Sequence, residues 1–251
     1  MVSEIQHQLD ELERQHSVKI LYACESGSRA WGFPSTDSDY DVRFIYAQPR
    51  DKYLSIDEFR DVLDLPVNEV LDINGWDIRK ALRLFRTSNP PLYEWLQSPI
   101  VYRQSSVFMN DIRQLMADYF SPRAGLHHYS SMARNAFSEL QSEEVRLKKY
   151  FYCLRSLLAA LWIVEKNEVP PMTFGALRTL ISEPALQELI DLLLEQKEHA
   201  DEKSTIKSIP RVQHFIQEQI AYCETKGRDI PKKETESSAL NDLFRKHLYE
   251  I

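Results

Sequence analysis

Near Ser121 the apolar residues of this chain change period, and that change limits what the chain can fold into. Before it they come in runs of strand length: VKILYAC at 18–24, DYDVRFIYA at 39–47, DVLDL at 61–65 and NEVLDI at 68–73. Within the second run Val42, Phe44 and Tyr46 alternate with Asp41, Arg43 and Ile45, the period-two pattern of a strand. Short helical patterns flank these runs, through Ile5, Leu9 and Leu12 at the start and through Ile78, Leu82 and Phe85 later. Asn74-Gly75 reads as a turn before the later helix. Ser88-Asn89 with Pro90 and Pro91 stops that helix and starts another, LYEWLQ. After Ser121 the segments HHYSSMARNAFSELQ, VRLKKYFYCLRSLLAALWIV, ALRTLI, ALQELIDLLLEQ and VQHFIQEQIAYC each carry an apolar face at a period of 3.6. A polar stretch over 224–238 reads as a loop before a last helix, ALNDLFRKHLYE. Proline disfavours a helical residue before it, so the boundary is placed at Ser121-Pro122. The expectation is an α+β domain over 1–120 and an all-α helical domain over 121–251.

Composition narrows the function classes. With 251 residues, 43% hydrophobic and 27% charged, the chain has enough apolar material for real cores and little for long disorder. A net charge of -7, most of it before Ser121, excludes a surface that binds nucleic acid nonspecifically all over; such contact needs a local basic patch. No apolar run approaches the roughly 20 residues of a bilayer span. The polar start MVSEIQHQLDELERQ lacks a signal-peptide layout, so the expected location is the cytoplasm. Cys24, Cys153 and Cys223 are far apart without CxxC spacing, as reduced thiols are. His127 and His128 are adjacent, about 100° apart on a helix, and do not make a two-histidine metal pair. GxSxG, GxxxxGK[ST] and GxGxxG are absent.

Chemistry concentrates in GSRAWGFPSTDSDYDVRF at 27–44. Gly27 and Ser28 follow an apolar strand and open a helix. A glycine admits close approach of a phosphate, and a serine adds a hydroxyl and an N–H at a helix start. Asp39 and Asp41 open the next strand, and residues two apart on a strand share a face. An Asp-x-Asp pair alone is usually a solvated strand end. Beside a phosphate cradle it becomes a site, because two close carboxylates repel unless a cation joins them. Hard oxygen donors suit Mg²⁺ or Mn²⁺ together with substrate phosphates.

Gly-Ser, a gap of about ten residues and Asp-x-Asp resemble the signature of the DNA polymerase beta-like nucleotidyltransferase superfamily. The strings GSRAWG, SDYDVRFIY, LDINGWDIRKAL, SNPPLYEWLQSP and KKYFYCLRSLLAALW are similar to one branch of it, the RNA-ligase-associated, RNA repair pathway polymerase-beta family. Ser26 departs from the hydrophobic residue that usually precedes the glycine. The resemblance implies a small mixed sheet with flanking helices, then a helical domain that helps hold the nucleotide. It implies a third carboxylate on a neighbouring strand; Asp72 is favoured, with Asp77 as the rival and Glu69 third. Asp77 has a structural alternative, a helix-start acid after Asn74. Two Mg²⁺ (or Mn²⁺) ions held by Asp39, Asp41 and Asp72 are implied, with a nucleoside triphosphate as substrate and Asp72 as general base.

Other residues are weighed against plainer roles. Arg29 and Arg43 flank the motif, and Arg43 either pairs with a carboxylate or meets a phosphate. Lys148, Tyr152 and Arg155 stand at i, i+4 and i+7 on one helix face, with Lys149 one position round. The plainer reading is a solvated face paired to Glu144; the resemblance favours nucleotide binding. Trp31, Trp76 and Trp95 read as core. Two functions remain in view. One is a nucleotidyltransferase that moves a nucleoside monophosphate onto an acceptor hydroxyl of RNA, protein or a small molecule, releasing pyrophosphate. The alternative is a non-catalytic nucleotide-binding regulatory or antitoxin-like protein on the same fold.

Overall fold

A computed structural model describes residues 1–65 and 70–248. In chain order the elements are α1 (Val2–His16), β1 (Lys19–Ser26), α2 (Gly27–Trp31), β2 (Tyr40–Ala47), α3 (Arg50–Tyr53), β3 (Val62–Asp64) and β4 (Leu71–Asp77). Then follow α4 (Ile78–Arg86), α5 (Pro90–Trp95), β5 (Val101–Gln104), α6 (Ser106–Gln114), α7 (Met116–Tyr119), α8 (Pro122–Ser138), β6 (Glu144–Arg146) and α9 (Leu147–Lys166). The chain ends with α10 (Phe174–Leu177), α11 (Pro184–His199), β7 (Thr205–Lys207), α12 (Pro210–Lys226) and α13 (Ser238–His247).

Contacts group the chain into two compact units: Met1–Gly27, Asp39–Tyr119 and the chain from Glu234 on form the first; Ser28–Ser38 and Phe120–Lys233 form the second. The fold is mixed α+β. In the first unit five strands run in the order β3-β4-β2-β1-β5. Strand β2 pairs in parallel with β4, while β1–β2, β1–β5 and β3–β4 are antiparallel. The alternation read in β2 sets the faces. Val42, Phe44 and Tyr46 join Ile20 and Ala23 of β1, Ile73 of β4 and Ile5, Leu9 and Leu12 of α1 in one apolar cluster. Asp41, Arg43 and Ile45 lie on the other face, in register with Asp72, Asn74 and Trp76 of β4.

Three expectations need correction. Asn74-Gly75 is not a turn but lies inside β4, where Gly75 is the register partner of Phe44. A Cβ there would meet the Phe44 ring at 2.2 Å, so the glycine makes room for an aromatic on the neighbouring strand. The second unit is not purely helical, because β6 and β7 pair as a two-stranded antiparallel ribbon. A single cut at Ser121 does not describe the units either: α13 returns to the first unit, where Leu240 and Leu243 are buried. The local signals at Ser121 and Asn89 hold, since each caps a helix with its side chain and has proline just after it. Strand β5 and helix α6 gave no period in the sequence; β5 is a four-residue edge strand with no buried residue to show an alternation.

Candidate active site

The parallel register of β2 and β4 sets Asp41 directly beside Asp72. Between them stands Arg43, two residues on from Asp41 and therefore on the same face. Its Nη2 lies 3.0 Å from Asp41 Oδ1 and 2.7 Å from Asp72 Oδ2. Its Nη1 donates to the carbonyls of Val42 and Asp72, at 3.1 Å each. Of the two roles open for Arg43, the structure shows the ion pair. All three side chains are partly shielded, with 18% of Arg43, 31% of Asp41 and 32% of Asp72 exposed. Burial raises the Asp41 carboxyl above its ordinary range; Arg43 opposes this, and the nearby charges of Asp72 and Asp39 add to it.

Strand β1 closes the other side of Asp41. Ser26 is the register partner of Asp41, and the chain then turns into α2 at Gly27 with φ +63°. A Cβ on Gly27 would stand 2.1 Å from Asp41 Oδ2. The glycine therefore gives way to the Asp41 carboxylate itself. Glu25, fully buried, accepts from the Asp41 backbone N–H at 2.8 Å through Oε1, while its Oε2 takes a short hydrogen bond from Tyr102 Oη. Sequence reasoning passed over Glu25, which follows the apolar run at 18–24. The one available signal was an acid so close to the glycine on that strand.

Asp77 takes the structural role. It caps α4 by accepting from Arg79 N at 2.7 Å, and Tyr53 Oη donates to it at 2.7 Å. It is also five residues from Asp72, an odd number, so it projects to the opposite face, about 16 Å further along the strand. Glu69 lies outside the described residues. Asp39 is exposed, one residue before β2.

The donor chemistry at Asp41 and Asp72 fits a hard divalent cation. Both offer carboxylate oxygens, and the place between them is one where positive charge sits, since one guanidinium nitrogen contacts both. Among the described residues, however, no three His, Cys, Asp or Glu side chains are gathered as a metal-ligating group. Of the three acids expected from the sequence, Asp41 and Asp72 share the Arg43 guanidinium, and Asp39 acts on Asp41 through its charge.

The remaining expected residues belong to the second unit. Ser28 Oγ donates to Ser38 Oγ at 3.1 Å, and Arg29 Nη2 donates to the Ser38 carbonyl at 2.7 Å. Lys148 pairs with Glu202 at 3.0 Å and Lys149 with Glu139 at 2.8 Å, not with Glu144. Tyr152 meets Trp31 edge-on at 5.7 Å. Arg155 is buried, with 2% exposed; its Nε donates to the Met172 carbonyl at 3.2 Å and its guanidinium carbon lies 4.2 Å from the Trp31 ring centre. Helix α9 is therefore packed on more sides than its expected polar face allows, and Arg155 is a packed cation. The three cysteines are buried and unbonded to one another, and burial pushes each thiol up to about 12. Among the described residues no helix is long and apolar enough to cross a membrane.

The profile of the RNA repair pathway DNA polymerase beta family matches residues 1–246. The protein YcgL of Bacillus subtilis (strain 168), described as uncharacterized, is 43% identical over 254 residues, covering 100% of this chain and 98% of YcgL. Among solved structures, spectinomycin adenyltransferase AAD(9) from Enterococcus faecialis, solved with ATP and spectinomycin, has a TM-score of 0.44 at 11% identity, covering 90% of this chain and 99% of its own. A nucleotidyltransferase-like protein from Exiguobacterium sibiricum 255-15 has a TM-score of 0.31 at 13% identity, covering 96% of this chain and 80% of its own.

Proposed function

The chain belongs to the RNA repair pathway DNA polymerase beta family, a nucleotidyltransferase-like protein, and we propose from this that it transfers a nucleoside monophosphate from a nucleoside triphosphate to an acceptor hydroxyl with the help of divalent cations. The observation that carries the reading is Asp41 set beside Asp72 across the β2–β4 register with one cationic nitrogen touching both. Such a pair keeps its charges together only at a cost, which a bound cation offsets.

In this reading Asp41 and Asp72 hold Mg²⁺ or Mn²⁺, with Asp39 contributing from the residue before β2. A divalent ion held there would neutralise phosphate charge and lower the pKa of the acceptor hydroxyl. Asp72 takes the proton of that hydroxyl. The acceptor oxygen forms its bond to the α-phosphorus as the bond to the β-phosphate oxygen breaks, and pyrophosphate leaves. Glu25 holds the Asp41 backbone and Gly27 leaves room for its carboxylate, so the acid enters the reaction already oriented. Ser28, Arg29, Lys148, Lys149 and Tyr152 remain proposed nucleotide contacts, and Arg155 serves nucleotide binding indirectly, through its packing on Trp31. The family's description favours an RNA end as the acceptor, ahead of a protein or a small molecule.

One observation favours a non-catalytic nucleotide-binding protein instead: the Arg43 guanidinium pairs with both acids and offsets one of their two charges. Incubation with each α-labelled nucleoside triphosphate, Mg²⁺ or Mn²⁺, and RNA, protein or the chain itself as acceptor separates the readings. Asp41→Asn is expected to lower label transfer by about a hundredfold or more. Transfer equal to wild type in that variant overturns the proposed site, and triphosphate binding that ignores both metal and Asp41 supports the non-catalytic protein.

A further inference from the structure

In the second unit a carboxylate sits among more donors than it has oxygens. Glu202 Oε1 accepts from Ser38 Oγ at 3.0 Å and lies 3.6 Å from Lys197 Nζ, while Oε2 lies 3.0 Å from Lys148 Nζ. Ser38 Oγ in turn accepts from Ser35 N at 2.9 Å and from Ser28 Oγ at 3.1 Å. Lys197 is nearly enclosed, with 2% exposed, and its Nζ also reaches Ser35 Oγ at 2.5 Å. Asp37 faces the same group and accepts from the Glu202 backbone N–H at 3.0 Å.

Charge fixes what this place requires. Lys148 and Lys197 bring two positive charges and Glu202 and Asp37 two negative ones. An ammonium as enclosed as Lys197 is costly without an anion beside it, so the position of the Glu202 carboxyl favours one. That carboxyl is nonetheless reachable, with 24% of both the Glu202 and the Lys148 side chains exposed. Glu202 stands on the connection between α11 and β7, outside helix and strand, and its backbone is tied to Asp37. Displacing its carboxyl therefore requires only rotation about the bonds of its own side chain. A phosphate group offers three or more acceptor oxygens to the hydroxyl and the two ammonium groups, where the carboxylate offers two.

We propose that the Glu202 carboxylate is a resident stand-in for a substrate oxyanion, and that a polyphosphate binds by displacing it from Ser38, Lys148 and Lys197. The inference rests on the reading that the chain takes a nucleoside triphosphate, and it adds Lys197 and Glu202 as determinants of that binding. Lys197 lies in a stretch whose sequence gave no functional signal.

The test is titration calorimetry of the full chain with inorganic tripolyphosphate in the absence of divalent ions. Removing the competing charge with Glu202→Gln raises the fraction of open sites, and about tenfold tighter binding is expected. Lys197→Gln and Lys148→Gln are expected to weaken binding. Glu202→Gln binding no tighter than wild type overturns the inference. Should that variant not fold, Lys148→Gln in the otherwise native chain decides, and unchanged affinity there overturns it equally. Tripolyphosphate behaving as expected in a chain that never transfers label overturns the proposed reaction and leaves this site standing.

Discussion

At Gly27 the backbone adopts φ +63° at a place where a side chain would also strike the Asp41 carboxylate. Two independent constraints thus demand the same residue, one conformational and one steric. Gly27→Ala is expected to destabilise the fold by about 2 kcal/mol or more, since a β-carbon there faces backbone strain and overpacking together. Urea unfolding measures this, and a loss below half a unit of that size shows that the carboxylate moves aside at little cost. The sequence marked Gly27 and Asp41 as members of one motif, but it assigned the space above the glycine to a phosphate. Which atom fills that space depends on the β1–β2 register, which a spacing of residues does not encode. Glu25 is hidden for a related reason. Its burial is set by Tyr102, 77 residues away, and by the Asp41 backbone.

At the scale of an element, strand β4 separates the two candidate third acids. A strand read as ending before Asn74-Gly75 puts Asp72 and Asp77 on either side of a turn, with Asp72 favoured by the resemblance. A strand that runs unbroken through Gly75 to Asp77 sends the two to opposite faces. Turn chemistry misled because Asn-Gly is a strong local signal, while the Phe44 ring that requires a glycine lies on another strand. The two acids therefore separate by experiment. Asp72→Asn is expected to lower transfer by about a hundredfold or more with little change in thermal midpoint. Asp77→Ala removes the α4 cap and the acceptor of Tyr53, and is expected to cost about 1–3 kcal/mol in stability. Paired activity and melting measurements check this. Full activity in Asp72→Asn beside loss in a well-folded Asp77 variant reverses the assignment.

For the whole molecule, periodicity revealed that helices dominate after Ser121 but not which unit each helix completes. Amphipathic α13 has the same pattern as its predecessors, and its partner is chosen by the surface it covers. Leu240 and Leu243 are buried in the first unit, and Phe244 packs edge-on against Tyr53 at 5.0 Å. The Arg79 guanidinium carbon stands 4.8 Å from the Tyr53 ring centre and 5.7 Å from that of Phe244. Asp111 of α6 holds the end of the helix through Lys246 and His247. Ending the chain at Lys233 removes all of these contacts. The two leucines alone contribute about 3–6 kcal/mol on burial, an upper bound since the unfolded chain hides part of that surface. Domains are typically stable by about 5–15 kcal/mol, so the shortened chain is expected to unfold at markedly lower urea. The difference should also depend on pH. Hydrogen bonding from Lys246, with His247 adding to it, holds the Asp111 carboxyl below its ordinary range despite an opposing effect of burial. A depressed carboxyl stabilises the fold above its unfolded pKa and loses that contribution as pH falls through its native value. The gap in urea midpoint between the full and shortened chains is therefore expected to be widest near neutrality and to narrow below about pH 4. Equal midpoints for the two chains at neutral pH would show that α13 adds no stability to the sheet unit it covers.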